Sequence, residues 1–336
     1  MKILILGGTS FFGKELAVLL CKKERNEVTV FSRRCPIPGM PPEIRQVRGD
    51  RTVRPDLVRM SVEKWDVVID NICFSSEDAK TAVEVFSGRM GLWVFTSSEA
   101  VYYTLKGISS PYRELHPGLL EDNEKMRSAG DFWSYAFGKK DAEKVFLDAY
   151  RDKKFPVAIA RMPIVVGPCD STLRAYSYWI RIADGGPLLL PGIEFSKRFI
   201  SSRDAARTLH TLAFARSVSG EAFNFGDSVP INLREFVDLS ASIMNRAAEK
   251  IPVAFEWLKE KGIKPSFSPF SGRSDTVMDL TKAEKVLNWR SSQTRDWMKD
   301  AIEWFFMKYS GPAPENYAGR KMELELAEAW IKEVRK

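Results

Sequence analysis

The chain has 336 residues, 44% of them hydrophobic and 28% charged. That length fits one large or two interdependent domains, and that composition excludes a disordered chain, a collagen-like repeat and a disulfide-stapled miniprotein. The net charge of +7 suits anionic ligands such as nucleotides or phosphates without demanding nucleic acid. Cys21, Cys35, Cys73 and Cys169 are scattered and form no C-x-x-C pair. Neither a disulfide framework nor a metal site is expected from them, and a reducing cytoplasm is the simplest compartment. No stretch approaches the roughly 20 apolar residues of a membrane span, and the run Ile3–Leu6 is shorter than a signal-peptide core.

In chain order, Ile3–Leu6, Val28–Phe31, Val67–Ile69, Leu92–Phe95 and Val157–Ile159 read as buried strands. Segments such as Lys14–Glu24 and Asp141–Tyr150 lie between them, with apolar residues at helical spacing. This alternation predicts an α/β, doubly wound parallel sheet of Rossmann type. After Pro168 the alternation weakens. A helix over Thr172–Ala183 stops at Asp184-Gly185-Gly186-Pro187. Leu188–Leu190, Arg198–Ile200 and Ala222–Phe225 read as short strands, and Leu233–Asn245, Thr281–Leu287 and Arg295–Met307 as helices. The charged tail Met322–Lys336 reads as a solvated surface helix. The expected organisation is a dinucleotide-binding domain over 1–167 and about 204–235. A smaller mixed α/β substrate domain is expected over 168–203 and 236–336.

Gly7-Gly8-Thr9-Ser10-Phe11-Phe12-Gly13 follows the first strand and opens the first helix. Glycines there permit a tight turn and let a pyrophosphate approach the backbone N–H groups of a helix N-terminus. Ser10 stands where a middle glycine is usual, and no G-K-[ST] follows, which excludes a P-loop. The second strand ends at Ser32-Arg33-Arg34, without the acid that would hold a ribose 2′-hydroxyl. Two arginines suit a 2′-phosphate, so NADP is favoured over NAD, the alternative being arginines that merely end a surface strand. Asp50, with Arg51 beside it, is placed to meet the adenine.

Tyr135 and Lys139 form a Y-x-x-x-K pair on one helical face. A nearby cation lowers the pKa of a phenol and makes it available as a general base. Thr96-Ser97-Ser98-Glu99-Ala100-Val101-Tyr102 brings hydroxyls to the C-terminal end of a parallel strand, where open α/β sheets bind ligands.

Together these residues resemble the extended short-chain dehydrogenase/reductase family, in its NAD-dependent epimerase/dehydratase branch. The resemblance extends to Arg161–Pro168, to Lys197-Arg198-Phe199-Ile200 with Asp204, and to Met278–Ala283 with Leu287-Asn288-Trp289. It implies a catalytic triad of Ser98, Tyr135 and Lys139, in which Tyr135 moves the proton of a substrate hydroxyl while hydride exchanges with the nicotinamide. Gly7, Thr9, Ser10, Phe11, Phe12, Gly13, Ser32, Arg33, Arg34, Asp50, Arg51, Tyr135 and Lys139 would hold the cofactor. Ser98, Glu99, Arg198 and Arg273 would hold the substrate, the arginines by a diphosphate.

The chain departs from the pattern in four places. Ser98-Glu99-Ala100 lacks the second acid of the dehydratases, and Ile164 stands where many sugar-nucleotide enzymes have asparagine. Asp70-Asn71-Ile72-Cys73 replaces a small H-x-A-A run, and Tyr103 a glycine. These features look more like atypical members such as the chloroplast stem-loop-binding proteins, some of which bind RNA. The leading expectation is an NAD(P)-dependent epimerase or reductase acting on a hydroxyl or keto group of a nucleotide sugar or similar polyol. The alternatives are a tailoring reductase on a non-nucleotide metabolite and an RNA-binding protein that keeps the fold. His116 and His210 read as structural or exposed, and 103–133 as either a lid or a plain surface loop. A homodimer is expected through the helices carrying Ala82, Val83, Ala142, Val145 and Phe146.

Overall fold

Short apolar runs separated by amphipathic segments build a seven-stranded sheet in the computed structural model, which describes residues 1–22, 26–114, 121–153, 155–264 and 267–334. The chain begins with β1 (Lys2–Leu6), α1 (Phe11–Lys22), β2 (Glu27–Ser32), β3 (Arg45–Arg48), α2 (Arg54–Ser61), β4 (Trp65–Asp70) and α3 (Ser76–Phe86). It continues with β5 (Met90–Ser98), α4 (Ala100–Tyr103), α5 (Asp131–Lys153), β6 (Val157–Met162), β7 (Ile164–Val166), α6 (Arg174–Ala183), β8 (Leu188–Pro191) and β9 (Phe199–Ser201). There follow α7 (Ser202–Phe214), β10 (Glu221–Asn224), α8 (Leu233–Met244), β11 (Lys250–Val253) and α9 (Phe255–Glu260). The last elements are α10 (Thr281–Leu287), α11 (Thr294–Lys308) and α12 (Arg320–Val334). No helix among the described residues is long and apolar enough to cross a membrane.

Two compact units result. The first comprises Met1–Val165, Ser202–Ser228 and Met278–Ser291, and the second Val166–Ser201, Val229–Val277 and Ser292–Lys336. In the first unit the strand order is β10-β6-β5-β4-β1-β2-β3, and every pairing is parallel. This is the doubly wound sheet expected from the alternation of the sequence. Strand order reverses beside β1, so the ends of β1 and β4 open a crevice at a topological switch point. Side chains alternate across the sheet. Leu4, Leu6, Val68, Trp93 and Phe95 join the core beneath α3 and α5, where the Trp93 ring lies 5.3 Å from Phe86 and 5.8 Å from Phe146.

In the second unit, β11 pairs in parallel with β8. Leu189, Ile251, Val253, Trp257 and Leu258 form its core with Ala327, and Trp330 packs partly buried against it. The tail therefore contributes an apolar stripe rather than only a solvated surface. Arg181 and Arg320 both pair with buried Glu323, and Arg320 also grips Asp184.

Three sequence-based expectations need correction. Residues 278–291 belong to the first unit, not the second, because α10 lies on β10. Lys282 Nζ donates to Glu221 Oε2 and to the Ala222 carbonyl, both at 2.7 Å, and Asn224 Nδ2 donates to the carbonyls of Tyr112 and Asp279. Residues 229–235, assigned to the dinucleotide-binding domain, lie in the second unit. Of the face nominated for self-association, Ala82, Val83, Ala142 and Phe146 are buried in the core where α3 packs on α5, and Val145 packs half-buried against that core. The apolar stripes of these helices satisfy each other within one chain.

Gly138 on α5 sits so close to the turn after β4 that a Cβ there would lie 2.1 Å from the Phe74 carbonyl oxygen. Gly138→Ala forces a backbone shift and should lower stability by about 1–3 kcal/mol, the usual cost of overpacking. Gly319→Ala, which meets no atom within 4 Å, should stay within about 0.5 kcal/mol of the parent. Urea unfolding of both variants checks the contrast, and equal midpoints would refute the close approach.

Candidate active site

Gly7 follows β1 with φ +84°, a left-handed conformation that glycine adopts without strain. Its N–H donates to the Phe31 carbonyl. A Cβ on Gly13 would lie 2.4 Å from the Gly7 oxygen, so the missing side chain is what lets α1 start directly beneath the loop. Phe11 takes φ +52° at that start, a strained setting for a bulky residue. The first turn of any helix has N–H groups without intrahelical partners, and these are what a pyrophosphate site uses. Thr9, Phe11 and Phe12 are half-buried and Ser10 is exposed.

At the end of β2, buried Ser32 donates to the Arg34 carbonyl at 2.5 Å. This tight turn leaves Arg33 and Arg34 exposed. The Asp50 carboxylate accepts from the Thr52 N–H at 2.9 Å and from its hydroxyl at 2.8 Å. These bonds, with Arg33 nearby, hold Asp50 below its ordinary pKa. The glycine cradle at the head of α1 fits the pyrophosphate of a dinucleotide. Arg51 does not join it. Its guanidinium is buried, donating to Asp70 Oδ2 at 2.7 Å and to the Asp78 carbonyl at 2.9 Å. Burial opposes that charge, yet Asp70 and Asp78 keep the pKa above its usual range. The Arg51 side chain, expected at the cofactor, is thus turned inward to an internal ion pair with Asp70.

Helix α5 sets Tyr135, Lys139 and Glu143 one turn apart on one face. Tyr135 is exposed at the head of the helix. Lys139 is buried, and its Nζ donates to the Cys73 carbonyl at 2.7 Å and the Thr96 carbonyl at 2.8 Å. The ammonium lies 4.6 Å from the centre of the Phe74 ring, 5.0 Å from Phe95 and 6.0 Å from Tyr135, close enough for cation–π attraction. Ser98, half-buried, ends β5 and accepts the Ala100 N–H at 3.2 Å. Glu99 beside it is buried.

The sequence reading missed the groups that fasten this face. Glu143 Oε1 accepts from the Ser97 hydroxyl at 2.5 Å, and Arg161 donates to both Glu143 oxygens. Arg161 Nη1 reaches Tyr102 Oη at 2.9 Å, which in turn donates to Asn224 Oδ1. The spacing of Glu143, four residues beyond Lys139, was the available signal. Thr96 Oγ1 donates to Asn71 Oδ1 at 2.7 Å, and Asn71 Nδ2 donates to the Gly7 carbonyl at 3.3 Å. The glycine loop and β5 are tied together by that link.

Arg198 and Arg273 lie in the second unit. Arg198 is half-buried. Arg273 pairs with Glu256 at 3.2 Å and lies over the Phe255 ring, so its charge is already matched. In the first unit, Leu105 bridges to Asp122 and Tyr112 to Met278, and Tyr112 stacks on Tyr102 at 4.9 Å. His210 is half-buried beside Phe214. His116 and the rest of 115–120 lie outside the described residues.

Burial pushes the Lys139 pKa from its ordinary 10.5 down to about 8, partly offset by Cys73 and Asp70. The folded state thus binds this proton less firmly than the unfolded chain, and the Lys139 contribution to stability improves as pH rises from about 8 towards 10.5. Carbon-13 NMR of labelled lysine should show one Cε resonance titrating near pH 8 that disappears in Lys139→Met. A spectrum in which every lysine titrates near its ordinary value would overturn the assignment.

A family model described as the NAD dependent epimerase/dehydratase family matches residues 3–226, more than half of the chain. Among curated proteins, the chloroplast stem-loop binding protein of 41 kDa b from Arabidopsis thaliana is 31% identical over 156 residues. That match covers 40% of each chain, so the chain spans only about two fifths of that relative. The fold is similar to a UDP-glucose 4-epimerase from Thermotoga maritima solved with UDP-glucose, at TM-score 0.72 and 15% identity over 91% of this chain and 99% of that one. A dTDP-glucose 4,6-dehydratase from Bacillus anthracis in complex with NAD aligns at TM-score 0.71 and 15% identity, over 92% of this chain and 97% of that one. The chain belongs to the NAD-dependent epimerase/dehydratase family.

Proposed function

We propose that the protein is an NAD(P)-dependent reductase or epimerase that acts on a substrate hydroxyl or keto group, with Tyr135 as the general acid/base. The observation that carries this reading is the exposed Tyr135 phenol one helical turn above the buried ammonium of Lys139. A cation fixed there favours the phenolate. Ser98, at the end of β5, supplies a hydroxyl for the reacting oxygen. The bound nicotinamide supplies or accepts the hydride. The chain's own part is to hold the dinucleotide on the Gly7–Gly13 cradle, to move the proton at Tyr135 Oη and to keep Lys139 charged beneath it.

Exposed Arg33 and Arg34, together with the absence of an acid at the end of β2, support NADP over NAD. A non-nucleotide substrate is supported by Ile164 and by an Arg273 already paired with Glu256. Among the described residues no disulfide joins the four cysteines, which fits a cytoplasmic setting. The stem-loop binding named for the Arabidopsis relative favours a second reading, RNA binding. A pure binding module has no use for an anchored Tyr–Lys pair.

Two results are expected. Tyr135→Phe should lower NADPH-linked turnover by about 10²- to 10⁴-fold while leaving the NADPH dissociation constant unchanged. Retention of most activity would remove Tyr135 from the chemistry. Arg33→Ala should weaken NADPH binding by roughly 10- to 100-fold, the loss of one charged hydrogen-bond pair, and leave NADH binding alone. Equal affinity of the parent for both cofactors, measured by calorimetry, would contradict the 2′-phosphate assignment.

A further inference from the structure

Among the described residues of the first unit only three aromatic side chains are exposed: Phe74 at 49%, Phe132 at 51% and Tyr135 at 39%. Phe132 and Tyr135 lie on the first turns of α5, and Phe74 comes from the turn after β4. Phe74, in the turn after β4, has its ring centre 6.3 Å from that of Tyr135. Phe132 precedes Tyr135 by three residues on α5, on the same side of the helix. Its ring lies 5.8 Å from Tyr103, on the short helix that follows Ser98, and 5.6 Å from Trp133. Tyr103 in turn meets Tyr112 at 6.2 Å.

Half-exposed phenylalanines are costly in water, at roughly 25 cal/mol per Å² of apolar surface. Elsewhere in this unit the aromatic rings are buried or half-buried. Most of the cations near these rings already have a carboxylate partner, though most of those pairs are solvent-exposed. Lys106 pairs with Glu121, Arg113 with Asp279, Arg127 with Glu124 and Asp141, and Lys140 with Asp122. Lys125 is the exception, and a single lysine is a point charge rather than the planar fork that suits a diphosphate.

We infer that this aromatic rim is a subsite for a flat, uncharged ring of the substrate, so that the substrate class is a fused-ring or aromatic alcohol or ketone rather than a nucleoside diphosphate sugar. The inference rests on the reading of Tyr135 as the acid/base, because it places the ring where the reacting oxygen would meet that phenol. Aromatic faces stack on flat apolar rings at centroid distances of 4.5–7 Å, the spacing that the rim residues already keep among themselves.

Binding rather than turnover tests it. Tetralone and tetralol serve as fused-ring probes, UDP and UDP-glucose as their rivals, all titrated into the full chain by saturation-transfer NMR with calorimetry as a second readout. Tetralone is expected to bind at about millimolar or tighter concentration. Phe74→Ala and Phe132→Ala should each weaken it about 3- to 10-fold, the range for one aromatic contact. Both residues are exposed, so the variants should keep the parental circular dichroism. Tighter binding of UDP-glucose than of tetralone, or unchanged tetralone binding in both variants, overturns the inference. Its failure and that of the functional reading separate cleanly. Tyr135-dependent turnover of a nucleotide sugar would sink the rim proposal and keep the acid/base. Phe74-dependent tetralone binding with turnover indifferent to Tyr135→Phe would leave the subsite standing and sink the chemistry.

Discussion

A lysine ammonium buried at the end of a parallel sheet is the constraint around which the first unit is arranged. An unpaired charge in such a place would be expensive. Lys139 meets the cost with two backbone carbonyls, Cys73 and Thr96, and with the faces of Phe74 and Phe95. Those two carbonyls belong to the turn after β4 and to β5, so one side chain fixes α5 against both. The contact also explains Gly138, whose missing Cβ allows the helix to come within reach of the Phe74 carbonyl. Behind the ammonium, Arg51 and Asp70 form their own buried pair. Burial, with Asp70 nearby, pushes the Cys73 thiol up to about 12, which keeps it neutral and leaves its carbonyl as the group that matters.

One turn further along α5 the same helix is fastened a second time. Glu143 takes the Ser97 hydroxyl and the Arg161 guanidinium, and Arg161 reaches Tyr102. A buried ion pair of this kind adds little net stability compared with apolar residues of the same shape, but losing one partner costs about 3–5 kcal/mol. Its consequence here is register. Ser97 and Ser98 are neighbours on β5, while Lys139 and Glu143 are neighbours on α5, so two successive links set the serine strand against the tyrosine helix. Tyr135, one turn before the first link, is left at the exposed end. On the proposed reading of Tyr135 as the acid/base, this rigid support beneath an exposed phenol is what proton transfer to an arriving substrate needs.

Much of this was legible in the sequence, and the limits are physical. The central strands are continuous apolar runs because both faces of a parallel sheet are covered, so β1, β2, β4, β5 and β6 could be read directly. The edge strand β3, Arg45-Gln46-Val47-Arg48, is half polar and half exposed, and carries no such signal. The glycine loop and the Tyr135–Lys139 spacing were legible because steric and helical periodicity act locally. Arg51 was not, because sequence fixes its position but not which way a long side chain turns, and Asp70 and Asp78 decide that from elsewhere in the chain. The stripes of α3 and α5 show the same limit. Periodicity says that Ala82, Val83, Ala142 and Phe146 must be covered, and tertiary packing supplies the cover within the chain.

The segment 72–74 connects these observations. Where the family resemblance leads one to expect two small residues, this chain has Ile72-Cys73, and Phe74 follows them. Ile72 packs so tightly on the glycine loop that a Cβ at Gly7 would lie 2.6 Å from it. The Cys73 carbonyl takes the Lys139 ammonium, and the Phe74 ring leans on Tyr135. Three consecutive residues therefore touch the cofactor loop, the buried cation and the aromatic rim in turn. Phe74 contributes an exposed ring without disturbing the carbonyl beside it, whereas replacing Cys73 by a residue with a different backbone preference would loosen the cation. The glycine loop and the Lys139 ammonium are thus held through close backbone approaches that leave little room for change, whereas the Phe74 ring is an exposed side chain whose replacement leaves those approaches in place.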